Sequence, residues 1–159
     1  MEETTEQNLT ETEWRARVLS GHIQNIGPLW TRMTDGVWHF GLLIEDKHLN
    51  PAGLVHGGAL LSLLDHVVSV VAWEAAARQP CVTVQLDAQF RSAARRGDFV
   101  TAAASVAKQT RELLKSSLAS CASPSGVTTS CVMSGMMVAS DRMCPCKSKM
   151  PGSSLPTGP

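Results

Sequence analysis

Several residue types that mark particular kinds of protein are scarce in this chain. It has no tyrosine, and aromatic residues make up only 4% of its 159 residues, so a stacking surface for bases or sugars is not expected. Charge of one sign is not in excess either, because 14 Lys and Arg residues balance 14 Asp and Glu residues. A nucleic-acid-binding protein would normally carry a basic excess. The composition therefore disfavours a nucleic-acid partner.

The sequence also lacks an evident targeting or membrane segment. Its start, Met1 to Gln7, is acidic and polar, and the basic and apolar regions of a signal peptide do not follow. The longest apolar run, 59–73, is interrupted by four polar residues: Ser62, Asp65, His66 and Ser69. The interruptions predict a segment too short and too polar to cross a bilayer, and hence no membrane association.

The five cysteines form no C-x-x-C pair, and no histidine cluster accompanies Cys144 and Cys146. A structural zinc site needs four ligands, so zinc is the weaker alternative. We expect reduced thiols in a cytoplasmic protein, with no metal.

Apolar residues are plentiful, at 43% of the chain, which is enough for a folded core. Periodicity predicts one long helix over 57–77 that is apolar on almost every side and therefore buried. Strands are predicted over 37–45, 81–88, 98–108, 113–121 and 127–140, and a short helix over 13–20. Since strands do not alternate with helices, a doubly wound parallel sheet is excluded. We predict an α+β fold with an antiparallel sheet around one helix, preceded by a tail and short helix (1–20), with the domain over 21–140 and a loose tail over 141–159.

Gly57 and Gly58 stand at the predicted start of the long helix. Backbone N–H groups there are open to a ligand, and the helix dipole favours negative charge. An oxyanion formed by attack on a carbonyl needs such donors. The alternative is that the two glycines only allow close packing against a strand.

Asp65 lies in the middle of this apolar helix, on a narrow polar stripe. A buried carboxylate is costly unless it is paired, hydrogen-bonded or solvated in a cleft, and no Lys or Arg lies within one turn of it. It is either a structural residue bonded across an interface or a catalytic base or nucleophile. Gly57 is separated from it by about 12 Å along a straight helix. If both act on one carbonyl, they must come from two subunits of a symmetric dimer.

The segment from Asn50 reads Asn-x-x-Gly-x-Val-His-Gly-Gly, with Asp65 nine residues after His56. This pattern resembles the hotdog-fold acyl-CoA thioesterases, in particular the phenylacetate-degradation type. The resemblance extends from about Trp38 to Val138 and includes the pairs Gly97-Asp98, Thr110-Arg111 and Ser134-Gly135. It implies an antiparallel sheet wrapped around the helix, dimers joined edge to edge, and usually a tetramer.

The resemblance also implies a role for each matching residue. Asp65 would be the general base or nucleophile, and the Gly57 N–H would polarise the thioester carbonyl. Asn50 would position the water or the carbonyl, His56 would fix the helix start, and Thr83 would orient the water. The stretch from Phe90 to Arg95, including Arg91, and the loop near Arg111 would hold the pantetheine and phosphates of coenzyme A.

Taken singly, most of these residues also have ordinary structural readings. Asn50 before Pro51 suits a turn, Thr83 suits a strand, His56 could simply cap the helix, and the arginines could lie on a solvated turn. The last two strands depart from the family in their high Ser, Cys and Met content, which puts the packing of the final hairpin in question.

The predicted function is hydrolysis of an aryl-acetyl or medium-chain acyl-CoA to free coenzyme A and a carboxylic acid. Coenzyme A is part of the substrate and no cofactor is implied. A non-catalytic hotdog protein that binds acyl-CoA or an acyl-carrier partner is the rival from another class, and a hotdog dehydratase is a second enzyme reading.

Overall fold

One helix and an antiparallel sheet account for the secondary structure that positions the predicted site. The computed structural model describes residues 9–10, 12–90, 92–109, 114–122, 128–129 and 134–139. Helix α1 spans Gly57–Ala75, and short 3-10 helices span His22–Asn25 and Asp46–His48. The strands are β1 Arg15–Arg17, β2 Leu29–Thr34, β3 Val37–Leu43, β4 Cys81–Asp87, β5 Phe99–Gln109, β6 Leu114–Ala122, β7 Thr128–Thr129 and β8 Ser134–Ala139.

The strands that the structure describes form one sheet in the order β1-β2-β3-β5-β6-β8-β4, with β7 beside β6. Every one of these pairings is antiparallel. The chain therefore has the predicted α+β architecture. The strand predicted over 127–140 is present as β7 and β8, and the predicted tail over 141–159 lies outside the described residues.

Helix α1 packs one face against the sheet. Its buried residues recur at spacings of three and four: Ala59, Leu60, Leu63, Leu64, Val67, Val68 and Ala72. They share a core with Phe40 and Leu42 of β3 and with Val100 and Ala102 of β5. Removing a Leu or Val side chain from water stabilises the fold by about 1.5–3 kcal/mol. This contact orients the helix, and the helix then presents its polar stripe on the side away from the core.

By length and composition, α1 could cross a membrane: its 19 residues have a mean hydropathy of 1.4. The sequence-based expectation that this segment is too short and too polar is therefore wrong. Its hydrophobicity has another explanation, because Leu63, Leu64, Val67 and Val68 are completely buried against the sheet. The core helix of a folded protein needs the same residues as a spanning helix.

A second cluster covers the face of the sheet opposite the helix. Leu9, Trp14, Trp30 and Phe99 are buried together there, and the Trp14 and Phe99 rings meet edge to face at 4.9 Å. The predicted short helix over 13–20 is wrong, because Arg15–Arg17 is a strand paired with β2. Leu9, which lies in the segment predicted to be a tail, is buried. Burial of these residues on the sheet outweighs the helix-like spacing of Trp14 and Val18.

Candidate active site

The helix start is built around an imidazole cap. His56 precedes α1 in extended conformation, and its Nδ1 accepts the Gly58 N–H at 2.9 Å. A Cβ at position 58 would lie 2.9 Å from that nitrogen, so the cap requires glycine there. The Gly57 N–H is the first free donor of the helix, with no partner among the described residues. This arrangement leaves one backbone donor, aligned with the helix dipole, for an external acceptor.

Asn50 lies in a tight hairpin directly before the helix. Its Oδ1 accepts the backbone N–H groups of Ala52 and Leu54, at 2.9 and 3.2 Å. Gly53 completes the turn with a φ of 73°, a conformation that glycine adopts without strain. These bonds occupy the amide oxygen, so the NH₂ group is the part of Asn50 that can act on a bound carbonyl or water. Asn50 can therefore stabilise the turn through its oxygen and still bind a ligand through its NH₂ group.

Phe90 borders the same helix start. A Cβ at Gly57 would lie 3.5 Å from two ring atoms of Phe90, and 46% of the Phe90 residue surface is exposed. Because residue 57 is a glycine, the space between its free N–H and the Phe90 ring stays open. The sequence places these residues 33 positions apart, and the fold brings them together.

Arg95 stands on a turn that is tied to the Asn50 hairpin. The Ala94 carbonyl accepts the Val55 N–H at 2.9 Å, and the Arg95 N–H donates to Asp98 Oδ2 at 2.8 Å. The turn is closed by Gly97, with a φ of 83°. Arg95 is exposed at this side of the helix start. Arg91 and Arg111, the other two predicted phosphate contacts, lie outside the described residues.

Asp65 lies two turns further along α1, and Thr83 of β4 faces it. The Thr83 hydroxyl donates to Asp65 Oδ1 at 2.7 Å. Asp65 is half-buried, and no Lys or Arg of the described chain forms an ion pair with it. One oxygen of the carboxylate is thus fixed by a strong hydrogen bond, and its charge is not neutralised by a cation.

A pocket of about 430 Å³ opens beside Asp65. Its polar lining continues the stripe on α1, with Ser62, His66 and Ser69, and adds Ser20 and His22 from the segment before β2. Its apolar lining is Ile23, Leu61 and Leu86. Sequence reasoning identified the stripe but missed the contribution of residues 20–23, because nothing local in that segment signals which part of α1 it covers.

Two of these lining residues have defined surroundings. His22 Nε2 lies 3.1 Å from Ser62 Oγ, whose hydroxyl donates to the Gly58 carbonyl, so the imidazole is the donor to the serine. Burial lowers the pKa of His66, with the Asp65 charge acting in the opposite direction. His66 meets the Phe40 ring edge to face at 6.0 Å. The pocket beside Asp65 therefore combines polar and apolar groups and, around neutral pH, carries an uncharged His66.

The predicted residues thus form two groups at different positions on one chain. Asn50, His56, Gly57 and Phe90 surround the start of α1, and Asp65 meets Thr83 on the helix flank. Eight residues of helix, about 12 Å, separate Gly57 from Asp65. We call the residues around the start of α1 the helix-start group, and Asp65 with Thr83 the Asp65 group.

Within the described residues, no set of three or more His, Cys, Asp or Glu side chains could hold a metal ion.

Comparison with known families bears on both groups. Residues 52–119 match the family model described as the thioesterase superfamily. The matched segment makes up less than half of the chain, but it includes Gly57, Asp65 and Thr83. No curated protein matches the chain significantly.

Solved structures with this fold include several thioesterases. Zebrafish thioesterase superfamily member 2 is 20% identical with a TM-score of 0.63, over 70% of this chain and 81% of that protein. The Escherichia coli PaaI protein from the phenylacetic acid degradation operon is 20% identical with a TM-score of 0.57, over 66% and 73%. A Streptococcus pneumoniae hypothetical thioesterase solved with coenzyme A is 23% identical with a TM-score of 0.59, over 69% and 85%.

At these identities the similarity establishes the fold, which is that of the hotdog thioesterases. The predicted resemblance to hotdog-fold thioesterases is confirmed. The phenylacetate-degradation type remains a prediction, as do the roles of the site residues.

Proposed function

We propose that this chain is an acyl-CoA thioesterase. Water adds to the thioester carbonyl, the carbon–sulfur bond breaks, and the products are free coenzyme A and a carboxylic acid. The thioesterase-superfamily segment supports this chemistry in general. The observation that carries the proposal is the Asp65 carboxylate, which Thr83 holds at 2.7 Å and which borders an open pocket. Among the described residues it has no Lys or Arg partner.

Asp65 acts as general base or as nucleophile. As a base, it takes a proton from water while the water oxygen attacks the carbonyl carbon. As a nucleophile, it attacks the carbonyl carbon, the carbon–sulfur bond breaks and the coenzyme A thiolate leaves; water then hydrolyses the resulting anhydride to the carboxylic acid and free Asp65. Thr83 holds one carboxylate oxygen in either route, which leaves the second oxygen to face the reacting atoms.

The helix-start group binds the thioester carbonyl oxygen. The Gly57 N–H and the Asn50 NH₂ group are donors that can stabilise the negative charge that develops on this oxygen. His56 contributes indirectly, because its cap on Gly58 fixes the first turn of the helix.

The proposed site is shared between two subunits. One chain keeps Gly57 too far from Asp65 for a single carbonyl to touch both, so the helix-start group of one subunit must face the Asp65 group of another. Strand β4, which carries Thr83, ends the described sheet and pairs with β8 on one side. Val82 and Val84 of this edge strand are 45% and 55% exposed. An exposed apolar edge favours pairing with a second chain, as a homodimer or within a homotetramer.

The proposed substrate is an aryl-acetyl or medium-chain acyl-CoA in the cytoplasm. Phe90 would contact the pantetheine arm, and Arg91, Arg95 and Arg111 would contact the phosphates. The free thiol of Cys81, whose pKa is raised by burial, suits a reducing compartment. Water and side chains suffice for the proposed reaction, so it involves no cofactor.

The test is thiol release from a panel of acyl-CoAs by the purified chain and two variants. Asp65→Asn should lower kcat by at least about 10²-fold and leave the melting temperature unchanged or higher, because an isosteric amide replaces a half-buried charge. Glu74→Gln is the matched control, since Glu74 is an exposed carboxylate on the same helix, paired only with Arg78 among the described residues. Near-normal turnover by Asp65→Asn contradicts the proposal. Acyl-CoA binding without thiol release by the wild-type chain would favour a non-catalytic binding protein.

A further inference from the structure

His48 is a buried imidazole that the proposed reaction does not use. Only 1% of its surface is exposed, and it lies at the end of the 3-10 helix Asp46–His48. Its Nδ1 accepts the Glu45 N–H and its Nε2 lies 2.9 Å from the Ile26 carbonyl oxygen. A carbonyl can only accept, so the single ring proton is on Nε2 and the ring is neutral.

The surroundings of His48 favour this neutral form. Burial lowers its pKa, and the neighbouring charges of Lys47 and Glu45 act on it in opposite directions. Protonation would place a second N–H at Nδ1, directly against the Glu45 N–H. The bond to Glu45 would then be lost, and the 3-10 turn would keep only its backbone bonds.

The main chain of His48 forms the base of the hairpin that carries Asn50. Its carbonyl accepts the His56 N–H at 2.7 Å, Leu49 bridges Val55, and the Asn50 N–H donates to the Leu54 carbonyl at 2.7 Å. The hairpin is thus a rigid unit with His48 at one end of its base and His56, the cap of α1, at the other. Asn50 lies two residues beyond this base and Gly57 directly follows it.

We propose that His48 is a positioning residue that fixes the Asn50 hairpin and the Gly57 N–H against the core. This rests on the proposed function, in which those two groups bind the thioester oxygen. The imidazole joins three segments: the end of the first 3-10 helix through Ile26, the end of β3 through Glu45, and the hairpin through its own backbone. Without it the hairpin keeps its internal bonds and its bond to Ala94 but loses the side-chain links to Ile26 and Glu45. Asn50 and Gly57 then shift together.

Three variants separate positioning from general stability. His48→Leu removes both side-chain bonds at similar volume. His48→Gln keeps an acceptor for the Glu45 N–H, as glutamine does at this position of a capping box. Trp14→Leu is the control, because Trp14 belongs to the cluster on the opposite face of the sheet and its loss lowers stability without touching the hairpin.

We expect His48→Leu to lower kcat by about 10²-fold, as misplacement of a binding group by about 1 Å can do, with a smaller change in KM. His48→Gln should recover at least part of kcat, and Trp14→Leu should keep kcat at temperatures where it is folded. Normal kcat in His48→Leu, or an equal kcat loss in Trp14→Leu, would overturn the proposal. If His48→Leu does not fold, His48→Ala at a lower assay temperature takes its place, and normal kcat in that variant has the same consequence.

Hydrogen exchange provides a readout that does not depend on catalysis. The amides of Val55, His56 and Gly58 should exchange faster in His48→Leu than in the wild type, and those in Trp14→Leu should not. Unchanged exchange in His48→Leu would show that the imidazole does not hold the hairpin. A wild-type chain that hydrolyses no acyl-CoA, by contrast, would refute the proposed function while this experiment still decides whether His48 anchors the hairpin.

Discussion

The contact between Thr83 and Asp65 gives a quantitative prediction. Thr83→Val removes the hydroxyl that donates to Asp65 Oδ1 at 2.7 Å and keeps the shape of the side chain. A hydrogen bond to a charged group contributes about 1.5–3 kcal/mol, and about 1.4 kcal/mol in a barrier is a factor of ten in rate. The full loss would therefore lower kcat between about 10-fold and about 150-fold. Asp65 borders an open pocket, so water replaces part of the bond, and we expect about 10- to 30-fold.

The assay is thiol release at saturating acyl-CoA, with the melting temperature measured alongside. Thr83 is half-buried on an edge strand, where valine is well tolerated, so Thr83→Val should melt close to the wild type. Thr83→Ser keeps the hydroxyl and should retain most of the activity. Wild-type kcat in Thr83→Val would refute the view that this contact holds the catalytic carboxylate.

Three further predictions concern substrate binding and pH. Phe90→Ala should mainly raise KM, because the half-exposed ring borders Gly57 at the helix start rather than Asp65. An equal fall in kcat would contradict a binding role. Burial lowers the pKa of His48 and of His66 below 6.5, so the unfolded chain binds more protons than the folded chain just below that pH. The melting temperature should therefore fall as pH drops from about 7 towards 5, and a flat profile would contradict it. Arg111→Ala should raise KM for acyl-CoA but not for an N-acetylcysteamine thioester, which lacks the phosphates; an equal effect on both would make Arg111 structural.

Local patterns were sufficient to predict most of the fold. The bounds of α1 and of the strands after it agree with the predicted ranges to within about two residues, because periodicity and turn residues act over short distances. The N-terminal segment was mispredicted for the opposite reason. Trp14 is buried by Trp30 and Phe99, which lie far along the chain. No local pattern near Trp14 indicates that it packs on the face of the sheet opposite the helix.

The part of the candidate site that lies within one segment of the sequence was predictable. Asn50, His56 and Gly57 are close in sequence, and Asp65 is conspicuous as a carboxylate in an apolar helix. Ser20 and His22 were not predictable, since they reach the Asp65 pocket only through packing of the segment before β2. The proposed role of His48 was equally hidden, because the partner of its Nε2, the Ile26 carbonyl, lies 22 residues earlier in the chain.

Mixing two inactive variants tests the shared site most directly. Asn50→Asp keeps the oxygen that the hairpin needs and removes the NH₂ donor, and Asp65→Asn removes the proposed catalytic carboxylate. If the two groups act across an interface, each mixed dimer has one intact site, and an equal mixture should regain about a quarter of wild-type activity. A mixture of Asp65→Asn with Thr83→Val is the control and should regain nothing beyond the average of its two parents, because those residues meet within one chain. Activity in the first mixture that does not exceed that of the separate variants would contradict the shared site.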